Sequence, residues 1–249
     1  MSKGVEYLRA AAALLERAAE NEAEEIDAVA GIMARSISSG GLVHLFGSGH
    51  SMLPALELFP RYGSFVGLHP LVDPRLLWVN VLGSGGVPEM LFLQTVEGYA
   101  TVFLDGQHLL RGDVLVIFSH SGTSAISVEA AMYAKERGLT VVGIISSETA
   151  AAKSRHSSGS KVTDIADYVI DTGIPRGEGL VKVDGLDEPV GAGSTIAATA
   201  IGLALVAACA EQLVQLGHEV VQSVRGEANE HLAYRAVYEA YEASLRRPE

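Results

Sequence analysis

Asp113-Val114-Leu115-Val116-Ile117-Phe118 runs directly into Ser119-His120-Ser121-Gly122-Thr123-Ser124. After its opening acid the first half is continuously apolar, the pattern of a strand covered on both faces. The second half places four hydroxyl residues in six positions. A helix-like stretch from Ser124 to Arg137 follows, closed by Gly138, and then the apolar run Thr140-Val141-Val142-Gly143-Ile144-Ile145. Strand, helix and strand in succession predict a parallel, doubly wound α/β sheet with right-handed crossovers. Ligands in such sheets bind beyond the carboxyl ends of the strands, where the hydroxyl-rich loop falls.

Outward from this unit the rhythm repeats. Leu42-Val43-His44-Leu45-Phe46, Ser64-Phe65-Val66-Gly67-Leu68 and Tyr168-Val169-Ile170-Asp171 are further strand-like runs. Leu180 to Val190 reads as a small hairpin with Asp184-Gly185 at its turn. Ser194 or Thr195 is placed to cap an apolar helix running to about Leu216, and Glu227 to Arg247 reads as a final helix. Upstream, Val5, Leu8, Ala12, Leu15, Ala19, Ile26, Val29, Met33 and Ile37 draw one apolar stripe, broken only at Glu22. The segment is one or two helices ending at Gly40-Gly41. A single helix of this length, rising ~1.5 Å per residue, would extend past its own domain and lay its stripe partly on a second subunit. Two helices would fold back onto their own domain.

Composition narrows the function classes. The 249 residues are 48% hydrophobic and 19% charged, with a net charge of −12. A substantial core is expected, and the missing basic face excludes nucleic acid as a partner. A membrane-surface role is likewise not expected. Cys209, the lone cysteine, sits in an apolar helical run and reads as core. No secretory leader is visible and no run approaches ~18 uninterrupted apolar residues, so the expected compartment is the cytoplasm. No His-x-x-x-His or cysteine pair suggests a metal, and no cofactor is expected.

The loop at Ser119–Ser124 suits an oxyanion. A helix N-terminus offers free N–H groups and partial positive charge. The hydroxyls add rotatable donors, and Gly122 permits close backbone approach. An ordinary helix cap needs only one hydroxyl. A second polar loop, Gly47-Ser48-Gly49-His50-Ser51, follows the first strand. It lacks the third glycine of a dinucleotide fingerprint, and Leu68-His69-Pro70 offers no acid for a ribose. A second wall of a sugar site fits it better, with Ser51 near the phosphate and His50 toward the sugar.

Together these two loops resemble the sugar isomerase (SIS) domain over roughly Val29 to Leu216. Within that superfamily, Ser154-Arg155-His156-Ser157-Ser158-Gly159 and Ala166-Asp167-Tyr168-Val169-Ile170-Asp171 are most similar to uncharacterised SIS proteins related to phosphoheptose isomerase. The resemblance implies a flavodoxin-like, five-stranded parallel sheet. It also implies phosphate contacts from Ser51, Ser119, Ser121 and Ser124, and a homodimer or homotetramer with active sites completed between subunits. On this reading residues 1–39 form a helical packing or oligomerisation segment, and residues 40–249 form the SIS domain with its C-terminal helices.

The catalytic assignment stays open. Where such isomerases place a glutamate, this chain has Arg61, while Glu57 lies one helical turn earlier and shares its face. Glu57 is either a base or half of an ion pair. Ser84-Gly85-Gly86, Val96-Glu97-Gly98 and Gly193-Ser194-Thr195 resemble N-acetylmuramic acid 6-phosphate etherases. That makes Glu97 a second candidate base, against a solvated helix position. His231 or His218 would supply the late histidine of the isomerases. His156, among Lys153, Arg155 and Lys161, belongs to a substrate-facing lid or to a solvated loop. The expected ligand is a phosphorylated sugar and the leading reaction an aldose–ketose isomerisation. The alternatives are an amino-sugar-phosphate lyase or etherase and a non-catalytic sugar-phosphate sensor.

Overall fold

A computed structural model of the chain describes residues 1–222 and 230–247, apart from the side chains of 230–234. Five strands build one all-parallel sheet: β1 (Val43–Phe46), β2 (Leu68–Pro70), β3 (Val114–Phe118), β4 (Thr140–Ile145) and β5 (Tyr168–Asp171). Their spatial order is β2-β1-β3-β4-β5, the flavodoxin-like arrangement. The chain leaves β1 toward β2 on one side and returns to β3 on the other. The loops following β1 and β3 therefore part at a topological switch point, with Phe46 in register with Ile117.

Side-chain alternation sorts the core onto the two sheet faces. Val43, Leu45, Val114, Val116 and Phe118 join one apolar cluster, while Phe46, Leu115 and Ile117 join the other. The first face is covered by α2 (Ala23–Ser38), α3 (Met52–Leu58), α8 (Ser194–Gln215) and α9 (Glu230–Leu245). The second takes α5 (Tyr99–Leu104), α6 (Ala125–Glu136) and α7 (Val162–Ile165), with α4 (Val87–Leu93) at its margin. Two short strands, β6 (Gly179–Val181) and β7 (Val190–Ala192), form an antiparallel hairpin. Asp184-Gly185 turns within its loop, Gly185 at φ +87°.

The N-terminal stripe resolves into two helices, α1 (Lys3–Asn21) and α2, which part at Glu22. In α2, Val29, Ala30, Met33 and Ala34 are fully buried and the helix packs on α8. This half of the stripe belongs to its own domain. In α1 only Ala11 and Leu14 are buried, and Val5 and Leu8 remain exposed. Tyr7 ties the helix to the hairpin by donating to the Ala192 carbonyl at 2.8 Å.

Two expectations shift by a few residues. The second strand is Leu68–Pro70, not Ser64–Leu68. Residues 64–67 are drawn elsewhere, with Phe65 in an antiparallel bridge to Gln222 and the Val66 N–H on the Val221 carbonyl. Gly67, at φ +131° beneath Ile37, then turns the chain into β2. The cap of α8 is Gly193, not Ser194 or Thr195, since the helical backbone already begins at Ser194, whose hydroxyl donates to Glu178.

Among the described residues, α8 is the one helix long and apolar enough to cross a membrane by length and composition, with a mean hydropathy of 1.8. In the fold Ile201, Leu205, Val206, Cys209 and Leu213 bury one of its faces, and the helix packs against α2 and α3. Burial pushes the Cys209 thiol up to about 12, as befits a core residue.

A polar knot closes the end of the sheet away from the loops. The Asp113 carboxylate accepts from the backbone N–H of Leu42 and Leu110, each at 2.9 Å. It also accepts from His44 Nε2 at 2.9 Å and from Arg247 at 2.5 and 2.8 Å. Burial pushes this carboxyl up, but Arg247, His44 and the two N–H groups outweigh it and hold it below the usual range. Burial lowers His44 below its ordinary value, and it lowers the neighbouring His69 to about 4. His69 Nδ1 and the Tyr241 hydroxyl are 2.6 Å apart, so the knot joins α9 and the C-terminal residues to the sheet.

Candidate active site

The site begins with backbone demands. A Cβ on Gly47 would lie 2.0 Å from the Ser51 carbonyl oxygen, so only glycine lets the chain double back after β1. Gly49 takes φ +61° and Gly122 takes φ +64°, the left-handed region that favours glycine. These three residues shape the two loops, and the neighbouring hydroxyl residues line the space between them.

The Ser119–Ser124 loop is braced internally. The Gly122 N–H donates to Ser119 Oγ at 3.0 Å, and the Ser121 and Thr123 hydroxyls are 2.8 Å apart. Ser124 is the N-cap of α6, yet its side chain makes no cap bond and instead donates to Ser127 Oγ at 2.8 Å. The hydroxyls are thus gathered at a helix start without being consumed by it.

Ser48 and Ser51 from the first loop face Ser119, His120, Ser121, Thr123 and Ser124 from the second across one open cavity of about 460 Å³. Three cations join them: Lys153 and Arg155 from the loop after β4, and Arg176 from the loop after β5. In a chain of net charge −12, this concentration of positive charge beside a helix N-terminus is what an anionic group needs.

A smaller, more enclosed cavity of about 60 Å³ adjoins it through Ser51, Ser119, His120 and Glu178. His50 lines this second space and packs against Trp78, with ring centroids 4.3 Å apart. Ser194, Thr195 and Thr172 complete its polar wall. His120 Nδ1 and Thr172 Oγ1 are buried with no hydrogen-bond partner among the described residues. His120 Nε2 lies 3.3 Å from the Arg176 carbonyl.

Both loops expected from the sequence are therefore brought together. The expected bases lie elsewhere. Glu57 is exposed on α3 and ion-paired with Arg61, lining neither cavity. Glu97 accepts from the Ser157 N–H and hydroxyl, each at 2.6 Å, and these two bonds hold its carboxyl below the usual range. It anchors the loop after β4 and also lies outside both cavities. His156 belongs to that anchor, its Nε2 3.8 Å from both Glu97 and Glu129. Of the basic cluster around it, Lys153 and Arg155 reach the large cavity. His231 falls in α9, and its side chain lies outside the described residues. His218 lines neither cavity.

Sequence reasoning missed Arg176 and Glu178. The available signal was position: Pro175-Arg176-Gly177-Glu178-Gly179 lies just past the carboxyl end of β5. Glu178 takes φ +61°, a conformation that costs a non-glycine residue energy. Its backbone is fixed on both sides, N–H to the Pro175 carbonyl at 2.8 Å and carbonyl from the Gly193 N–H at 3.0 Å.

Comparison with known proteins agrees with this arrangement. The SIS domain matches residues 6–146, a span that includes both loops. A UPF0309 protein of Streptomyces avermitilis is 36% identical over 219 residues, covering 86% of this chain and 84% of that protein. A UPF0309 protein of Listeria innocua is 32% identical over 209 residues, covering 84% and 83%. In fold, the chain is similar to a phosphoheptose isomerase from Francisella tularensis. That likeness has a TM-score of 0.52 at 15% identity and covers 86% of this chain and all of the other. The chain belongs to the SIS domain family.

Proposed function

We propose that this protein binds a phosphorylated sugar and interconverts its aldose and ketose forms. One observation carries the reading: the hydroxyls of Ser51, Ser119, Ser121 and Ser124 share a single cavity with Lys153, Arg155 and Arg176 at the start of α6. A phosphate dianion there meets hydroxyl donors, a helix N-terminus and guanidinium groups. The adjoining small cavity takes the other end of the ligand, and the phosphate supplies remote binding energy that positions the reacting carbons. Isomerisation asks only for proton movement between adjacent carbons, which side chains of this type perform without a cofactor. The etherase alternative rests on Glu97, which is engaged with Ser157 and lines neither cavity.

The same reading includes a homodimer or homotetramer. Val5 and Leu8 on α1, and Val79, Leu82, Phe92 and Val102 around α4 and α5, leave large apolar side chains exposed, as an interface would.

A thermal-shift panel of aldose and ketose phosphates tests the assignment, since a ligand that binds only the folded chain raises its melting temperature. Incubation of the strongest binder then follows conversion between the two forms. Stabilisation with conversion is the expected result. Stabilisation without conversion of any bound sugar phosphate reduces the protein to a sensor, and no stabilisation at all removes the ligand class.

A further inference from the structure

We infer that Glu178 is the base of the proposed isomerisation and that His120 relays the accompanying hydroxyl proton, a step that rests on the phosphosugar reading above. Among the described residues Glu178 is the only carboxylate lining either cavity, and it lines both. It stands where a ligand with its phosphate in the serine loop would pass from one space into the other. The smaller space exceeds the ~15 Å³ that one water needs and is too small for a whole sugar, so it suits the reacting carbons.

Three features mark Glu178 as placed for chemistry. Its backbone holds a left-handed conformation that the hairpin and Gly193 impose. Its carboxylate accepts the hydroxyl of Ser194, the first residue of α8, which aims it. Its surroundings hold two buried polar atoms without a hydrogen-bond partner among the described residues, His120 Nδ1 and Thr172 Oγ1, on two residues that line the smaller cavity. Buried polar atoms in folded proteins are nearly always partnered, so a pair of them on one cavity wall points to a ligand.

The Arg176 carbonyl settles the histidine's tautomer. It can only accept, so in the neutral ring the N–H sits on Nε2 and the lone pair on Nδ1. The reaction then balances without any co-reactant. Glu178 takes the proton from C2 of the open-chain aldose phosphate, and the C2–H electron pair becomes the C1=C2 bond while the charge moves to O1. Nδ1 of His120 takes the proton of the O2 hydroxyl and delivers it to O1. Glu178 returns its proton to C1, and C2 is left as the ketone. Thr172 Oγ1 supplies a hydrogen bond to an oxygen of the reacting end.

The test compares wild type with Glu178→Gln by NMR in deuterated water, reading exchange of the C2 proton, alongside calorimetric binding of the same sugar phosphate. Glu178→Gln is expected to bind within about threefold of wild type and to lose exchange by roughly 100-fold or more. Glu178→Asp, which keeps the carboxylate, is expected to recover part of the rate and guards against a folding defect. Wild-type exchange in Glu178→Gln overturns the assignment, as does a wild-type protein that binds sugar phosphates and exchanges none. A wild-type protein that binds none removes the phosphosugar reading itself, which is a different failure.

Discussion

The hydroxyl of Ser194, the first residue of α8, donates to the carboxylate of Glu178 on the hairpin side of the site. The two lie sixteen positions apart in the chain, and the β6–β7 hairpin between them folds back to bring them together. Gly193 caps the helix without a side-chain bond, and the Ser194 hydroxyl goes to Glu178. Ser194 therefore orients a carboxylate rather than stabilising its own helix.

Ser194→Ala is accordingly expected to change stability by no more than about 1 kcal/mol. Turnover should fall by roughly tenfold with little change in KM, because only the aim of Glu178 is lost. Steady-state kinetics and thermal melts on the same preparation check this. A rise in KM with kcat unchanged would place Ser194 in ground-state binding instead.

The cations of the large cavity should act through charge. Arg176→Ala is expected to weaken binding of a phosphorylated sugar by about tenfold, with the wild-type affinity itself falling as salt screens the site. Calorimetric titration at two ionic strengths measures both. Binding that ignores both salt and Arg176 would mean that the guanidinium does not meet the phosphate.

Gly47→Ala should be severe for a steric reason. The added Cβ would sit 2.0 Å from the Ser51 carbonyl oxygen, with backbone on the other side of the clash, so the loop must move. A loss of at least ~2 kcal/mol in unfolding free energy is expected, together with loss of ligand-induced stabilisation. Denaturant unfolding with and without sugar phosphate reads the two separately.

Acid should loosen the knot at the far end of the sheet. Burial lowers His69 to about 4 from an ordinary value of 6.5. Between those values the unfolded chain binds a proton that the folded chain refuses, so stability is lost as pH falls from about 6.5 to 4. The ceiling on this loss is roughly 3 kcal/mol. Asp113, held below its ordinary range, keeps its contribution above pH ~4 and loses it as pH drops further. Melting temperature should therefore decline from about pH 6.5 downward. A profile flat from pH 7 to 4 would contradict the buried, neutral histidine.

Much of this was legible in the chain because it is local. Val114–Phe118 announces a strand by burial on both faces, and the density of hydroxyls from Ser119 to Ser124 marks the loop that lines the large cavity next to it. Gly47 and Gly122 were visible only as glycines in the two loops; the clash with Ser51 and the φ of +64° that call for glycine there appear in the fold. Glu57 and Arg61 were visibly one turn apart, and the structure pairs them. What escaped is non-local. Glu97 meets Ser157 across sixty positions, Phe65 is drawn off by Gln222, and Glu178 enters the site only because a hairpin and the start of α8 converge on it. No periodicity or motif encodes such meetings; they follow from how the elements pack.

The central claim is that the serine-rich loop holds a phosphate, and paired titration tests it most directly. Wild type and Ser121→Ala are titrated with one sugar phosphate and with its dephosphorylated sugar. The phosphorylated ligand should bind wild type at least about tenfold more tightly than Ser121→Ala, whereas the free sugar should bind both weakly and equally. Equal losses for both ligands, or no preference of wild type for the phosphorylated one, would contradict the account.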